Sequence, residues 1–167
     1  SCTAADNMNL TVNTAPAVDI GSDQTHCDYN MPITLDAGAG MASYNWNTGD
    51  NTQAISPNTS GNYAVTITDA NSCTASDNMN LTVNTAPAVD IGSDQTLCDY
   101  DMPISLDAGA GMTSYNWNTG DNTQTISPNT SGNYAVTITD ANSCTAADNM
   151  NLTVNTAPAV DIGSDQT

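Results

Sequence analysis

The clearest alternation in the chain lies at Gly61 to Asp69, GNYAVTITD, and returns at Gly132 to Asp140. Tyr63, Val65 and Ile67 point one way, and Ala64, Thr66 and Thr68 the other. A period of two in β-branched and aromatic residues predicts a half-buried antiparallel strand. Shorter stretches repeat the signature. Val18 and Ile20 open one strand, Ile33 and Leu35 a second after Pro32, and Tyr44 and Trp46 share a face of a third. A short strand is expected around Ile55, and Met79, Leu81 and Val83 form the inward face of the last. Between them stand turn formers: Gly21-Ser22-Asp23, Asp36 to Gly40, Thr48 to Asn51, Ser56-Pro57-Asn58 and Ala70-Asn71-Ser72, with a loop at Cys27 to Asn30. About seven short strands separated by such signals predict an all-β sandwich.

This pattern is itself repeated. Ser1-Cys2-Thr3-Ala4 returns at Ser72 with Cys73 and at Ser143 with Cys144, a period of 71 residues. Residues 1–71 and 72–142 differ at Ala5/Ser76, His26/Leu97, Asn30/Asp101, Thr34/Ser105, Ala42/Thr113 and Ala54/Thr125. Solenoid repeats run roughly 20–50 residues, so 71 fits a complete small domain. The expected organisation is beads on a string. Residues 1–14 are the last strand of a preceding repeat, 15–85 and 86–156 are whole repeats, and 157–167 is the first strand of the next. Thr14-Ala15-Pro16 and its copies at Thr85 and Thr156 mark short, stiffened joints.

Charge narrows the function. The chain has no Lys or Arg, 18 acidic residues that are all Asp, and a formal net charge of −18. Nucleic acid and anionic membrane surfaces need cations on the protein, so both are excluded as partners. No apolar run has the length of a membrane span. The Asp residues are scattered among regular apolar alternation, which argues against disorder. An enzyme needs a nucleophile or an acid–base pair in a pocket. The one histidine, His26, is replaced by Leu97 in the second copy. No catalytic residue and no required cofactor is expected.

Five cysteines, Cys2, Cys27, Cys73, Cys98 and Cys144, fit a disulfide framework in an oxidising compartment. A 71-residue bead buries little apolar surface, so a staple is expected. The most economical pairing closes each repeat on itself, Cys27 with Cys73 and Cys98 with Cys144, and leaves Cys2 to a partner upstream. The pairing of Cys2 with Cys27 and Cys73 with Cys98 is the rival, and bridges between chains are the third alternative. Beside the joints, Asp19 and Asp23 recur as Asp90 and Asp94 and as Asp161 and Asp165. Carboxylates and backbone carbonyls are calcium ligands, which makes these pairs candidate calcium sites. The same residues also build Asx turns. Tyr44, Trp46, Tyr63, Val65 and Ile67, with Tyr115, Trp117 and Tyr134 in the second copy, are expected in the cores. An exposed Trp would instead serve a sugar-stacking site.

Gly61-Asn62-Tyr63 also matches the tyrosine corner of immunoglobulin-like sandwiches, in which a Tyr near the start of strand F bonds back to upstream backbone. Tyr44 to Asp50, YNWNTGD, then Gly61 to Asp69, then Cys73, resembles the immunoglobulin-like or PKD-like tandem repeats of very large surface proteins of Bacteroidota, including SprB-type gliding adhesins exported by the type IX system. PKD domains proper carry W-D-F-G-D-G where this chain has Trp46-Asn47-Thr48-Gly49-Asp50-Asn51, so the relation is to a variant. The resemblance implies a non-catalytic repeat of an extracellular, cell-surface adhesin or stalk, with neighbouring repeats as its first partners. The alternatives are a self-assembling filament or sheath of many copies, and a module that binds surface polysaccharide.

Overall fold

The computed structural model describes residues 1–161 and 163 of the chain, which divides into two compact units, Ser1–Asn84 and Thr85–Thr167. In the first unit the strands are β1 (Gln24–Cys27), β2 (Leu35–Asp36), β3 (Ser43–Trp46), β4 (Ala54–Ile55), β5 (Gly61–Thr68) and β6 (Thr74–Asn84). The second unit repeats them as β7 (Gln95–Cys98), β8 (Leu106–Asp107), β9 (Ser114–Trp117), β10 (Thr125–Ile126), β11 (Gly132–Thr139) and β12 (Thr145–Asn155).

Each unit has a four-stranded and a two-stranded sheet. The larger runs β1-β6-β5-β3 and the smaller β2-β4, with the same orders in the second unit. β5 lies antiparallel to both β3 and β6, whereas β1 lies parallel to β6, Gln24 facing Leu81 and Cys27 facing Asn84. The arrangement is a small immunoglobulin-like sandwich, repeated in tandem. Its core is filled from the larger sheet by Trp46, Tyr63, Val65, Ile67, Met79 and Leu81, and from across by Leu35, Ala37 and Ile55. Trp117, Tyr134, Val136, Ile138, Met150 and Leu152 do the same in the second unit, with Tyr44 and Tyr115 half-buried against the two cores.

Buried polar tips find partners. The Trp46 indole N–H donates to the Thr52 carbonyl at 2.8 Å, and the Tyr44 hydroxyl to the Gly38 carbonyl at 2.7 Å. The Tyr63 hydroxyl donates to the Thr59 carbonyl at 2.8 Å, and Tyr134 to Thr130 at 2.9 Å, forming the tyrosine corner in both repeats. Replacing Tyr63 by Phe keeps the ring and removes that bond. The expected cost is about 0.5–1.5 kcal/mol, read as a fall of about 4–8 °C per kcal/mol in the melting of the first repeat.

One segment departs from the sequence reading. No strand is assigned at Val18 to Ile20. Ile20 is buried, but its amide donates to the Asp77 carboxylate at 2.8 Å, and the Asn80 amide donates to Asp23 at 2.8 Å. Side chains therefore stand where ladder bonds would run, and the strand begins only at Gln24, within the segment leading to the expected loop. Six strands per repeat result, not seven. Residues 1–14, a copy of the β6 segment, also form no strand, and Met8, Leu10 and Val12 are exposed. A last strand needs a partner like β5 beside it, and β5 and β11 are already paired with β6 and β12.

Candidate functional site: an amide-rich face

The same alternation that fills the core leaves the opposite side of the larger sheet to short polar residues. Asn62, Ala64 and Thr66 of β5 lie beside Asn80, Asn78 and Ser76 of β6, in register. Asn45 faces Thr66 from β3. Asn47 clamps the next turn onto β5, its amide group donating to the Asn62 carbonyl at 2.8 Å while its Oδ1 accepts from the Ala64 N–H at 3.0 Å. The Asn62 amide reaches the Asn80 Oδ1 at 3.1 Å. A shallow groove of about 460 Å³ runs over Asn45, Asn47, Ala64, Thr66, Ser76 and Asn78, with Trp46, Val65 and Asp77 also contributing to its lining. Its counterpart in the second repeat, over Asn116, Asn118, Ala135 and Thr137, is about 190 Å³.

No carboxylate projects from these strand positions. Asp77 lies on β6 but points inward to Ile20. Several other acids accept backbone N–H groups close by in the chain. Asp19 accepts from Gly21, Asp36 from Gly38, and Asp69 from both Asn71 and Cys73, all at 2.8 Å. These are Asx turns, in which the side chain substitutes for a backbone acceptor.

The candidate calcium residues belong to this set. Asp19 and Asp90 each bond the glycine two residues on, and Asp23 and Asp94 are held by Asn80 and Asn151 of the last strand. Asp161 accepts from Gly163 at 2.8 Å, and Asp165 lies outside the described residues. Among the described residues, no three His, Cys or Asp side chains form a metal-holding group. His26 bonds Gln24 at 2.8 Å and meets no nucleophile there.

The carboxyls of Asp23 and Asp94 are held below their ordinary value, first by the backbone N–H of Asn80 and Asn151 and then by the same residues' side-chain amides. Asp36 and Asp107 are lowered first by the amides of Gln53 and Gln124 and then by a glycine N–H. A lowered folded-state pKa means that the unfolded chain binds protons first on acidification. The stabilisation is complete above the ordinary value of 3.8 and is lost as pH falls from there through the folded-state value. Relief of repulsion among the 18 acids acts in the opposite direction. The Asp23→Asn, Asp94→Asn double variant should therefore melt below wild type at pH 6, with the gap narrowing below about pH 3.8. Melting curves across that range check it.

The cysteine pairing requires a correction. Cys73 and Cys98 carry free thiols, so neither expected within-repeat bridge, Cys27 with Cys73 or Cys98 with Cys144, is formed. The reason lies within the repeat. Cys27 faces Asn84 at the end of β6, while Cys73 precedes its first residue. An 11-residue strand separates them, roughly 36 Å at about 3.3 Å per residue, and a bridge needs Cα atoms within about 7 Å. Cys2 is an exposed free thiol.

Sugar stacking on Trp46 or Trp117 has no surface to use, since each is 2% exposed.

No protein-family model matches the chain, and no curated protein matches it. Solved structures do. The insect immune protein hemolin aligns over 82% of this chain and 46% of its own, at 11% identity and TM-score 0.45. Sidekick-1 immunoglobulin domains 1–5 align over 85% and 39%, at 14% and 0.42. The titin I-band fragment I67–I69 aligns over 87% and 67%, at 11% and 0.40. The chain thus spans less than half of the hemolin and Sidekick-1 chains. The fold assignment stands on the strand order and the tyrosine corner described above.

Proposed function

We propose that the chain is a run of non-catalytic spacer repeats in an extracellular cell-surface stalk or adhesin. One observation carries this reading: each repeat takes in the chain at one end of its longest strand and releases it at the other. The entering segment meets that strand at Asp77 through Ile20, follows it through Asp23 beside Asn80, and runs parallel to it as β1. The chain leaves at Asn84, the far end of β6. Repeats built this way add length with every copy. Their carboxylates are spent on turns and strand contacts, which supports a soluble spacer over a ligand-binding module. The resemblance to SprB-type gliding adhesins of Bacteroidota supplies the setting we favour for such a stalk.

The amide face favours a second reading. Its outward strand positions carry amides and hydroxyls rather than Asp, with Asp23 at the Asn80 edge, so in a chain of charge −18 two copies could approach there with few opposing carboxylates. That would make the repeats units of a filament or sheath.

Light scattering on the oxidised chain, with and without millimolar calcium, separates the two. Monomer mass in both conditions is the expected result and leaves the tethered stalk. Growth in mass would replace it with the filament, and growth only with calcium would place cations between acidic surfaces.

A further inference from the structure

Ala64 leaves a notch in the amide face of the first repeat. On one side of its methyl stands Asn47, from the turn after β3, and on the other Asn78, its partner on β6. The next row across the sheet is Asn45, Thr66 and Ser76. None of these six side chains is charged, and the Asp77 carboxylate is turned to the Ile20 amide. The walls are set before any ligand arrives. Asn47 is bonded at both ends of its amide, and the Asn78 Oδ1 accepts from the Asn62 amide at 3.4 Å. Little side-chain freedom remains for those walls to lose on binding. The Asn45 amide and the Thr66 and Ser76 hydroxyls, by contrast, have no hydrogen-bond partner among the described residues.

These unspent groups donate and accept without charge, so they match a neutral ligand that does the same. An anionic chain is repelled by a protein of charge −18. A peptide laid across the face meets no free main chain, since β5 is laddered to β3 on one side and to β6 on the other. Aromatic stacking is closed off, because Trp46 is buried. A polyhydroxylated chain meets every one of these conditions, each hydroxyl both donating and accepting. We propose that the groove floored by Ala64 binds a neutral polysaccharide, whose hydroxyls bond Asn45, Thr66, Ser76 and the free amide hydrogens of Asn78. The second repeat supplies an internal contrast. Of the six positions only one differs, Ser76 against Ala147, and the groove there is about 190 Å³ against about 460 Å³. The first repeat is therefore the stronger site. Contacts this open to water are weak singly and gain strength where one ligand chain meets several copies of the site. The inference goes beyond the spacer reading, because a stalk and a free-standing module would both carry the groove.

The full chain, labelled with nitrogen-15, is titrated with millimolar neutral hexasaccharides of α-glucan, β-glucan and mannan type, and its amide signals are followed. An oligouronate and an uncharged Ser/Thr peptide are the controls. The expected result is saturable shifts of asparagine side-chain signals with at least one neutral saccharide and with neither control. Ala64→Val fills the notch with a residue suited to a strand and should abolish the shifts. Ala135→Val makes the same change in the second repeat and should leave the dominant shifts in place. Ser76→Ala, which removes one bonding group without filling the groove, should weaken binding by about 2- to 10-fold. It keeps the site testable should Ala64→Val fail to fold. No saturable shift with any of the three saccharides would overturn the proposal. So would undiminished binding by folded Ala64→Val, an equal loss in Ala135→Val, or equal shifts with either control. Shifts that follow protein concentration without sugar would give the face to a second copy and overturn it as well.

Discussion

Replacing Trp46 by Ala should unfold the first repeat at temperatures where the second remains intact. The indole is 2% exposed, sits at the centre of its core cluster and donates to the Thr52 carbonyl. Truncating a buried Trp costs about 3–5 kcal/mol, because the lost burial is compounded by the cavity left behind. The Thr52 carbonyl also loses its donor. A repeat of this size holds about 4–10 kcal/mol in total, at about 0.05–0.15 kcal/mol per residue. The loss is therefore comparable to the whole stability of the domain. The chain has two Trp, one in each repeat, which gives a direct readout. In the variant, fluorescence reports Trp117 alone and should show an unshifted transition for the second repeat. Circular dichroism, which sees both repeats, should show an earlier transition or a lost fraction of strand signal. A single shared transition moved downward in both signals would mean that the repeats melt as one unit, and the bead description would fall.

The parts of this fold that were legible in the sequence are those fixed by side-chain alternation. Tyr63, Val65 and Ile67 alternate with Ala64, Thr66 and Thr68, and that is the burial pattern of β5. The parts that were not legible are those fixed by a partner distant in sequence. Gln24-Thr25-His26-Cys27 has no apolar rhythm, and it is a strand because β6 lies parallel beside it. Val18 and Ile20 have the rhythm, and the strand fails there because Asp77, 57 residues away, takes the Ile20 amide. The cysteines show the same limit. Spacing cannot say which end of a strand a residue occupies, and the 11-residue length of β6 rules out the closure that looked most economical. The amide face was written in the sequence as Asn45, Asn47, Asn62, Asn78 and Asn80, at outward positions of alternating strands. The signal that could have found it is the absence of Asp from those outward positions.

Removing the Asp77 carboxylate should weaken the repeat most where a stalk is loaded. In a spacer pulled by its ends, tension enters through the segment before β1 and leaves through the end of β6. These two run in the same direction, so the pull shears them past each other and loads their bonds together. The Ile20 amide to Asp77 contact, 2.8 Å long and beside a buried side chain, is the first of these bonds that the load meets. A hydrogen bond to a charged group contributes about 1.5–3 kcal/mol, and its loss leaves the Ile20 N–H without an acceptor. Asp77→Ala should therefore destabilise the first repeat by about that amount at neutral pH. If the contact is unmade in the transition state, the unfolding rate should rise by roughly 10- to 100-fold, with refolding little changed. Asp77→Asn, which keeps an acceptor oxygen, should recover part of the loss. Chevron kinetics on the three proteins, followed by pulling single chains from their ends, test both halves. A variant as stable as wild type would show that water satisfies the Ile20 amide. One that is weaker in solution but unfolds at the same force would place the mechanical resistance further along, in the ladder between Gln24 and Cys27 and β6.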